Sequence, residues 1–114
     1  MQIVKEKISL ATLKEMSEKM FGELVKAVVD VEKEIMVVDA NMHADEEILL
    51  LENESLQKNL WGINLYPNLY ANDNWIEFDS MINIRPVDGN RSRGVDDPKI
   101  RAQIIKIVNS LVAQ

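Results

Sequence analysis

The chain has 114 residues, no cysteine and a formal net charge of −6, which indicates a single domain, residues 1–114, without disulfides or thiolate chemistry. The acidic balance disfavours general nucleic-acid binding, because phosphate backbones repel it. No apolar run approaches the length of a membrane span and the first residues do not resemble a signal peptide, so we expect a cytoplasmic protein with no membrane contact.

The first third of the chain predicts a strand, an amphipathic helix and a pair of strands. Residues 1–5 read as a short strand, and Ser9 is a good N-cap for a helix that Gly22 ends. From residue 24 to residue 31 the apolar period changes to two, which is typical of a half-buried strand. After a charged turn, residues 35–38 form the returning strand.

The middle of the chain predicts three more strands. Residues 41–44 read as a connection, residues 48–51 as a strand and residues 53–55 as a turn. Residues 60–66 form a strand that Pro67 ends, because proline cannot donate to a ladder. Residues 75–85 alternate apolar and polar side chains throughout, which predicts a long strand with one wetter face.

The final segment predicts a helix. Asp97 followed by Pro98 is a strong start signal, and a wide apolar stripe that includes Ile104 and Val108 indicates docking onto a sheet. The order of elements therefore predicts an α+β fold. We expect a two-layer sandwich, with a mainly antiparallel sheet and two amphipathic helices on one face.

An arginine-rich loop, residues 85–98, offers donors for an anion. Arginine binds phosphate or carboxylate bidentately, and the loop's glycines allow close backbone approach. Its spacing matches no phosphate-loop fingerprint. The structural alternative is an ordered loop whose arginines pair with Glu77, Asp79 or the acids at the helix start. The candidate anion-binding residues are Arg85, Asn90, Arg91, Ser92 and Arg93.

The only histidine, His43, precedes three acids and suggests a metal site. With Asp45, Asp30 and Glu32 it has the ligand types that hold Mg²⁺ or Mn²⁺ and activate water. No second histidine stands at ligand spacing, and a solvated acidic turn explains the pattern as well. A serine nucleophile is disfavoured because the chain lacks the Gly-x-Ser-x-Gly elbow.

Four aromatic residues lie at or between residues 61 and 75, around one predicted strand–loop–strand unit. They are suited to stacking a base or anchoring a partner, but they close the edge of a small core equally well. No lysine or arginine is interleaved with them, which disfavours nucleic-acid stacking. The four residues are Trp61, Tyr66, Tyr70 and Trp75.

Three segments resemble a family of small bacterial proteins that carries only a domain-of-unknown-function label. The resemblance implies a single cytoplasmic domain and brings no activity, substrate or catalytic residue. At one hairpin, Asn53-Glu54 stands where the family often has Asp-Gly, so that turn is expected to be looser or of another type. The segments are His43-Ala44-Asp45-Glu46-Glu47, Leu60-Trp61-Gly62-Ile63-Asn64-Leu65-Tyr66-Pro67 and Asp79-Ser80-x-Ile82-Asn83-Ile84-Arg85-Pro86-x-x-Gly89-Asn90-Arg91-Ser92.

The sequence leaves two classes of function open. The leading hypothesis is a binding module without a cofactor, whose arginine-rich loop receives a small anion or an acidic segment of a partner. In a variant, one molecule's loop meets the acidic 30–54 region of another to form a homodimer. The alternative is a Mg²⁺- or Mn²⁺-dependent phosphoesterase, which needs the acidic residues and the arginine-rich loop at the same end of the sheet.

Overall fold

The computed structural model describes all 114 residues, and its centre is a five-stranded antiparallel sheet with the strand order β1-β4-β3-β5-β6. A separate parallel pair joins β2 to β7, which the sequence pattern did not indicate. The strands are β1 (Gln2–Val4), β2 (Ile8–Ser9), β3 (Val25–Asp30), β4 (Ile35–Val38), β5 (Leu60–Leu65), β6 (Ile76–Glu77) and β7 (Val112–Ala113). The helices are α1 (Leu10–Met20), α2 (His43–Glu52) and α3 (Pro98–Leu111).

One face of the sheet packs against α1 and α3 and forms the main core. Val25, Ala27 and Val29 of β3 point to this side and are buried in one cluster with Leu13 of α1 and Ile104 of α3. The predicted alternation in residues 24–31 is therefore correct. The expected α+β sandwich, with both predicted amphipathic helices on one face of the sheet, is confirmed.

The two predicted helices begin where their capping residues indicate. The Ser9 hydroxyl accepts the backbone N–H of Thr12 at the start of α1, and the Asp97 carboxylate accepts that of Lys99 at the start of α3. Gly22 follows α1 in the left-handed conformation, with φ of 85°. None of the three helices has both the length and the apolar character needed to cross a membrane.

The strand predicted at residues 48–51 is wrong, and the connection predicted at 41–44 is correct only for its first two residues. Residues 43–44 and 48–51 belong to α2, which lies on the sheet face opposite α1 and α3 and packs against Val28 and Val37 through Leu50. The helical period was hidden because two of the three buried residues on α2, His43 and Glu46, are polar. The apolar run 48–51 then looked like a strand.

The long strand predicted at residues 75–85 is wrong beyond its first residues. Backbone pairing with β5 stops after β6, and two short 3₁₀ turns follow, at Met81–Asn83 and Pro86–Asp88. Side chains continue the ladder in place of the backbone. The Asn83 amide accepts from the N–H of Gly62 and donates to its carbonyl, and the Arg85 guanidinium donates to the carbonyl of Leu60.

Candidate functional site

A cleft of about 540 Å³ opens on the sheet face that α2 covers only in part. We call it the polar cleft. It lies between the start of α2, the strands β3, β5 and β6, and the segment that follows β6. The residues that carry its chemistry are Lys26, His43, Asn64, Tyr66, Glu77, Asp79 and Arg93.

The floor of the polar cleft is a row of polar side chains across three neighbouring strands. Lys26 of β3 is in register with Asn64 of β5, and Asn64 is in register with Glu77 of β6. Residues in register on adjacent strands point to the same face, so the three side chains are neighbours. The Asn64 amide donates to the Glu77 carboxylate at 2.8 Å.

His43 stands at the wall of the cleft on the first turn of α2. Its Nε2 donates to the carbonyl of Ile63 at 2.7 Å, which leaves Nδ1 as the acceptor of a neutral ring. Burial lowers the pKa of His43, opposed by the hydrogen bond to Ile63. The ring passes so close to Gly62 that a Cβ there would come within 3.2 Å of it.

Two carboxylates line the cleft, Glu77 in the floor and Asp79 in the segment after β6. Glu77 accepts from the Tyr66 hydroxyl at 3.0 Å, and burial together with this carboxylate raises the pKa of Tyr66, which keeps its proton. Asp79 forms an ion pair with the Arg93 guanidinium. The cleft therefore has two cationic and two anionic side chains, Lys26 and Arg93 against Glu77 and Asp79.

The start of α2 faces the cleft without a side-chain cap. The N-cap residue is Met42, which cannot accept a hydrogen bond from the first turn, and Met42, His43 and Ala44 all line the cleft. The first N–H groups of a helix have no partner within it and carry the positive end of its dipole. The N–H of Asp45 bonds to the carbonyl of Met42, and the exposed Asp45 carboxylate on the first turn offsets part of the dipole. The N–H groups of His43 and Ala44 have no partner, so they are the ones that can receive an anionic group.

Two of the predicted anion-binding residues have structural roles. Arg85 is buried, stacks over the Trp61 ring at 4.4 Å, and donates to the carbonyls of Leu60 and Ile82. Asn90 is 3% exposed. Its amide donates to the carbonyls of Asn83, Ser92 and Gly94. These bonds hold the arginine-rich loop against the sheet edge.

The other three predicted residues lie nearer the surface of the same loop. Arg91 and Ser92 donate to the Asp96 carboxylate, through a backbone N–H and a hydroxyl respectively, and these hydrogen bonds, led by that of Ser92, lower the pKa of Asp96. Arg93 reaches the polar cleft and pairs with Asp79, as the structural alternative anticipates. Of the five residues, Arg93 alone lines the cleft.

The four residues of the metal hypothesis are not brought together. No group of three or more His, Asp or Glu side chains is arranged to hold a metal ion. The Asp30 carboxylate accepts from the backbone N–H groups of Glu32 and Lys33 and from the Ser55 hydroxyl, so it closes the β3–β4 turn. Glu32, in the same turn, accepts from the amide of Asn59, which lies just before β5. His43 instead lines the polar cleft, and Asp45 is exposed on α2.

Most of the aromatic set belongs to the core. Trp61 and Trp75 are buried in the main cluster, and Tyr70 packs edge-to-face on Trp75 with ring centroids 4.9 Å apart. A second cleft of about 320 Å³ lies between residues 70–78 and α3, and most of the residues that line it are apolar. Tyr66 is the one member of the set that lines the polar cleft.

Sequence reasoning missed the row Lys26, Asn64 and Glu77. Each lies in a strand and has an apolar residue on either side of it in the sequence. Such polar interruptions at equivalent strand positions were a usable signal. Placing them in one row required the register of β3, β5 and β6, which the sequence did not provide.

Fold and site together define an α+β sandwich whose second face carries a polar cleft beside an uncapped helix start. The chain belongs to the family described as "Protein of unknown function (DUF5674)", whose model matches residues 2–111. The resemblance to a family of unknown function is thereby confirmed. No curated protein and no solved structure matches the chain.

Proposed function

We propose that the protein binds a small molecule with a carboxylate or phosphate group in the polar cleft. The anionic group lies between the Lys26 ammonium and the start of α2. This keeps the hypothesis of a binding module for an anion, but moves the site from the arginine-rich loop to the sheet face. Carboxylates on an acidic peptide segment offer the same chemistry.

The observation that supports this proposal most directly is that the Lys26 ammonium has no carboxylate paired with it. Lys26 is half-buried in the cleft and takes part in none of the chain's ion pairs. Its ammonium sits 5.2 Å from the centroid of the Phe21 ring, which lines the same cleft. A cation held beside an uncapped helix start supports an anion as the missing partner.

The test is a titration with acetate, inorganic phosphate and an acidic peptide at low and high salt, followed by NMR. His43 is the only histidine, so its ring signals report on the cleft without ambiguity. We expect them to shift together with the backbone amide of Ala44, and we expect binding to weaken as ionic strength rises.

Two variants make the test specific. Lys26→Met removes the charge but keeps the stem, and we expect it to weaken anion binding about tenfold, the value of one charge-assisted hydrogen bond. Lys58→Met is the control, because Lys58 is exposed in the turn before β5. Equal affinity of both variants for the anion, or shifts confined to the arginine-rich loop, would overturn the proposal.

A further inference from the structure

We propose that the ligand of the polar cleft carries an ammonium group beside its anionic group, as a free α-amino acid does. This inference rests on the proposed function and names the class of molecule. It follows from the charges that face each other across the cleft and from an unpaired acceptor between them.

The charges are separated across the sheet. Lys26 and the start of α2 form the positive end, and Glu77 and Asp79 form the negative end. The register sets Lys26 and Glu77 two strands apart on one face, which is about 10 Å between Cα atoms at the usual strand spacing. Long side chains from both ends can therefore reach one small molecule.

The negative end argues against a ligand that is only an anion. Arg93 is already paired with Asp79, so the cleft has no excess of positive charge. A phosphate or simple carboxylate would lie near two carboxylates, and like charges repel at these distances. A ligand with an ammonium group turns one of them, Glu77, into a partner, because Asp79 stays paired with Arg93.

Asn64 lies between the two ends and is 7% exposed. Its amide nitrogen donates to the Glu77 carboxylate and the Asp79 carbonyl, whereas its Oδ1 is buried beside the His43 ring without a well-formed hydrogen bond. An unpaired buried acceptor is costly, and such groups call for a partner. A small side-chain adjustment on binding would present Oδ1 to an ammonium, which has donors for both Asn64 and a carboxylate.

The experiment compares amino acids with their desamino counterparts at neutral pH. The pairs are L-alanine with propionate, L-leucine with isocaproate and L-glutamate with glutarate, and ethylammonium serves as the amine alone. Affinity is measured by the same His43 and Ala44 signals. We expect at least one amino acid to bind about tenfold or more tightly than its partner, from the added charge-assisted bonds.

The variant Glu77→Gln separates this inference from the proposed function. It should bring the affinity of the best amino acid down towards that of its desamino partner, while the affinity of the partner stays equal or rises. Glu52→Gln, at the exposed end of α2, should change neither. Equal affinity within every pair overturns the ammonium inference and leaves anion binding standing. Ethylammonium binding as tightly as the amino acid also overturns it, and no binding of any probe overturns both proposals.

Discussion

At the scale of single residues, Gly62 controls how closely the second face of the sheet is packed. A Cβ at this position would lie 2.5 Å from the Cβ and 2.6 Å from the hydroxyl of Ser80. Ser80 is fully enclosed and its own Cβ is fixed by the backbone, so the contact cannot be relieved by a rotamer change. The glycine therefore permits Ser80 and His43 to lie directly on β5.

We expect Gly62→Ala to lower the free energy of unfolding by about 1–3 kcal/mol, the usual cost of overpacking. Gly94→Ala is the control, since its nearest contact would be 3.3 Å and its φ is not positive. Urea denaturation of both variants measures the difference. Comparable stability of the two variants would show that the strand has room to shift at Gly62.

Glu46 is a fully buried acid on the inner side of α2, and neither carboxylate oxygen has a well-formed hydrogen bond, although the backbone N–H of Ala40 lies near enough to favour the ionised form. Burial raises the pKa of Glu46 to about 10 from an ordinary value of 4.5. The folded state therefore keeps a proton that the unfolded chain releases at neutral pH. For a raised pKa, the stability present below pH 4.5 is lost as the pH rises towards 10.

We expect Glu46→Gln to remove this pH dependence and to raise the free energy of unfolding at pH 7 by up to about 3 kcal/mol. Glu52→Gln, on the exposed end of the same helix, should leave the dependence unchanged. Urea unfolding followed from pH 5 to pH 9 provides the measurement. The same slope in wild type and Glu46→Gln would mean that the acid is ionised in the folded state.

At the scale of elements, the short strand β6 is completed by a side chain. Asn83 is fully buried and makes three hydrogen bonds, two with Gly62 and one with the carbonyl of Arg93. This amide occupies the place of a peptide group in the ladder along β5. The geometry ties the start of the arginine-rich loop to the sheet.

We expect Asn83→Leu to lower the free energy of unfolding by more than about 2 kcal/mol, because it leaves the buried N–H and carbonyl of Gly62 unpaired. Hydrogen exchange at the Gly62 amide should accelerate more than exchange at Ile63, whose pairing is with β3. Asn83→Asp keeps the acceptor for the Gly62 N–H, so exchange at the Gly62 amide should be slower in this variant than in Asn83→Leu. Unchanged protection of Gly62 in Asn83→Leu would contradict the assigned role.

The end of α2 holds a residue in an unfavourable conformation. Glu54, two residues after the helix, has φ of 72°, a region that glycine occupies without cost. The family resemblance placed a hairpin turn here, whereas the structure has a helix end. We expect Glu54→Gly to raise the free energy of unfolding by about 0.5–1 kcal/mol and Glu54→Ala to leave it nearly unchanged. Thermal denaturation of the two variants checks this, and equal melting temperatures would contradict it.

These elements show which parts of the fold a sequence reveals. α1, α3, β3, β4 and β5 follow from apolar period and capping, because most of their buried residues are apolar. α2 does not, because His43 and Glu46 face the sheet and break the expected pattern. Residues 75–85 do alternate between apolar and polar side chains. However, Asn83 and Arg85 contact β5 through side-chain hydrogen bonds and not through strand pairing of their backbones.

At the scale of the whole molecule, the two faces of the sheet differ in how completely they are covered. α1 and α3 bury one face in a large apolar cluster, whereas α2 covers only part of the other. The polar cleft occupies the part left open. Its residues come from β3, α2, β5, β6 and the arginine-rich loop, so the site exists only in the assembled fold. Sequence reasoning named His43, Tyr66, Glu77, Asp79 and Arg93 for separate reasons, but it did not place them together and did not reach Lys26.

The side chains that complete the hydrogen-bond ladder along β5 also affect whether a strand of another molecule can pair with this edge of the sheet. An exposed strand edge offers a row of N–H and carbonyl groups that can recruit a further strand and start aggregation. Along the first half of β5, the outward N–H and carbonyl groups are already hydrogen-bonded to the Asn83 amide and the Arg85 guanidinium. These are side chains, so they present no further row of backbone groups to which another strand could pair. The sheet is thus protected on this side against uncontrolled growth, without the length of a full additional strand.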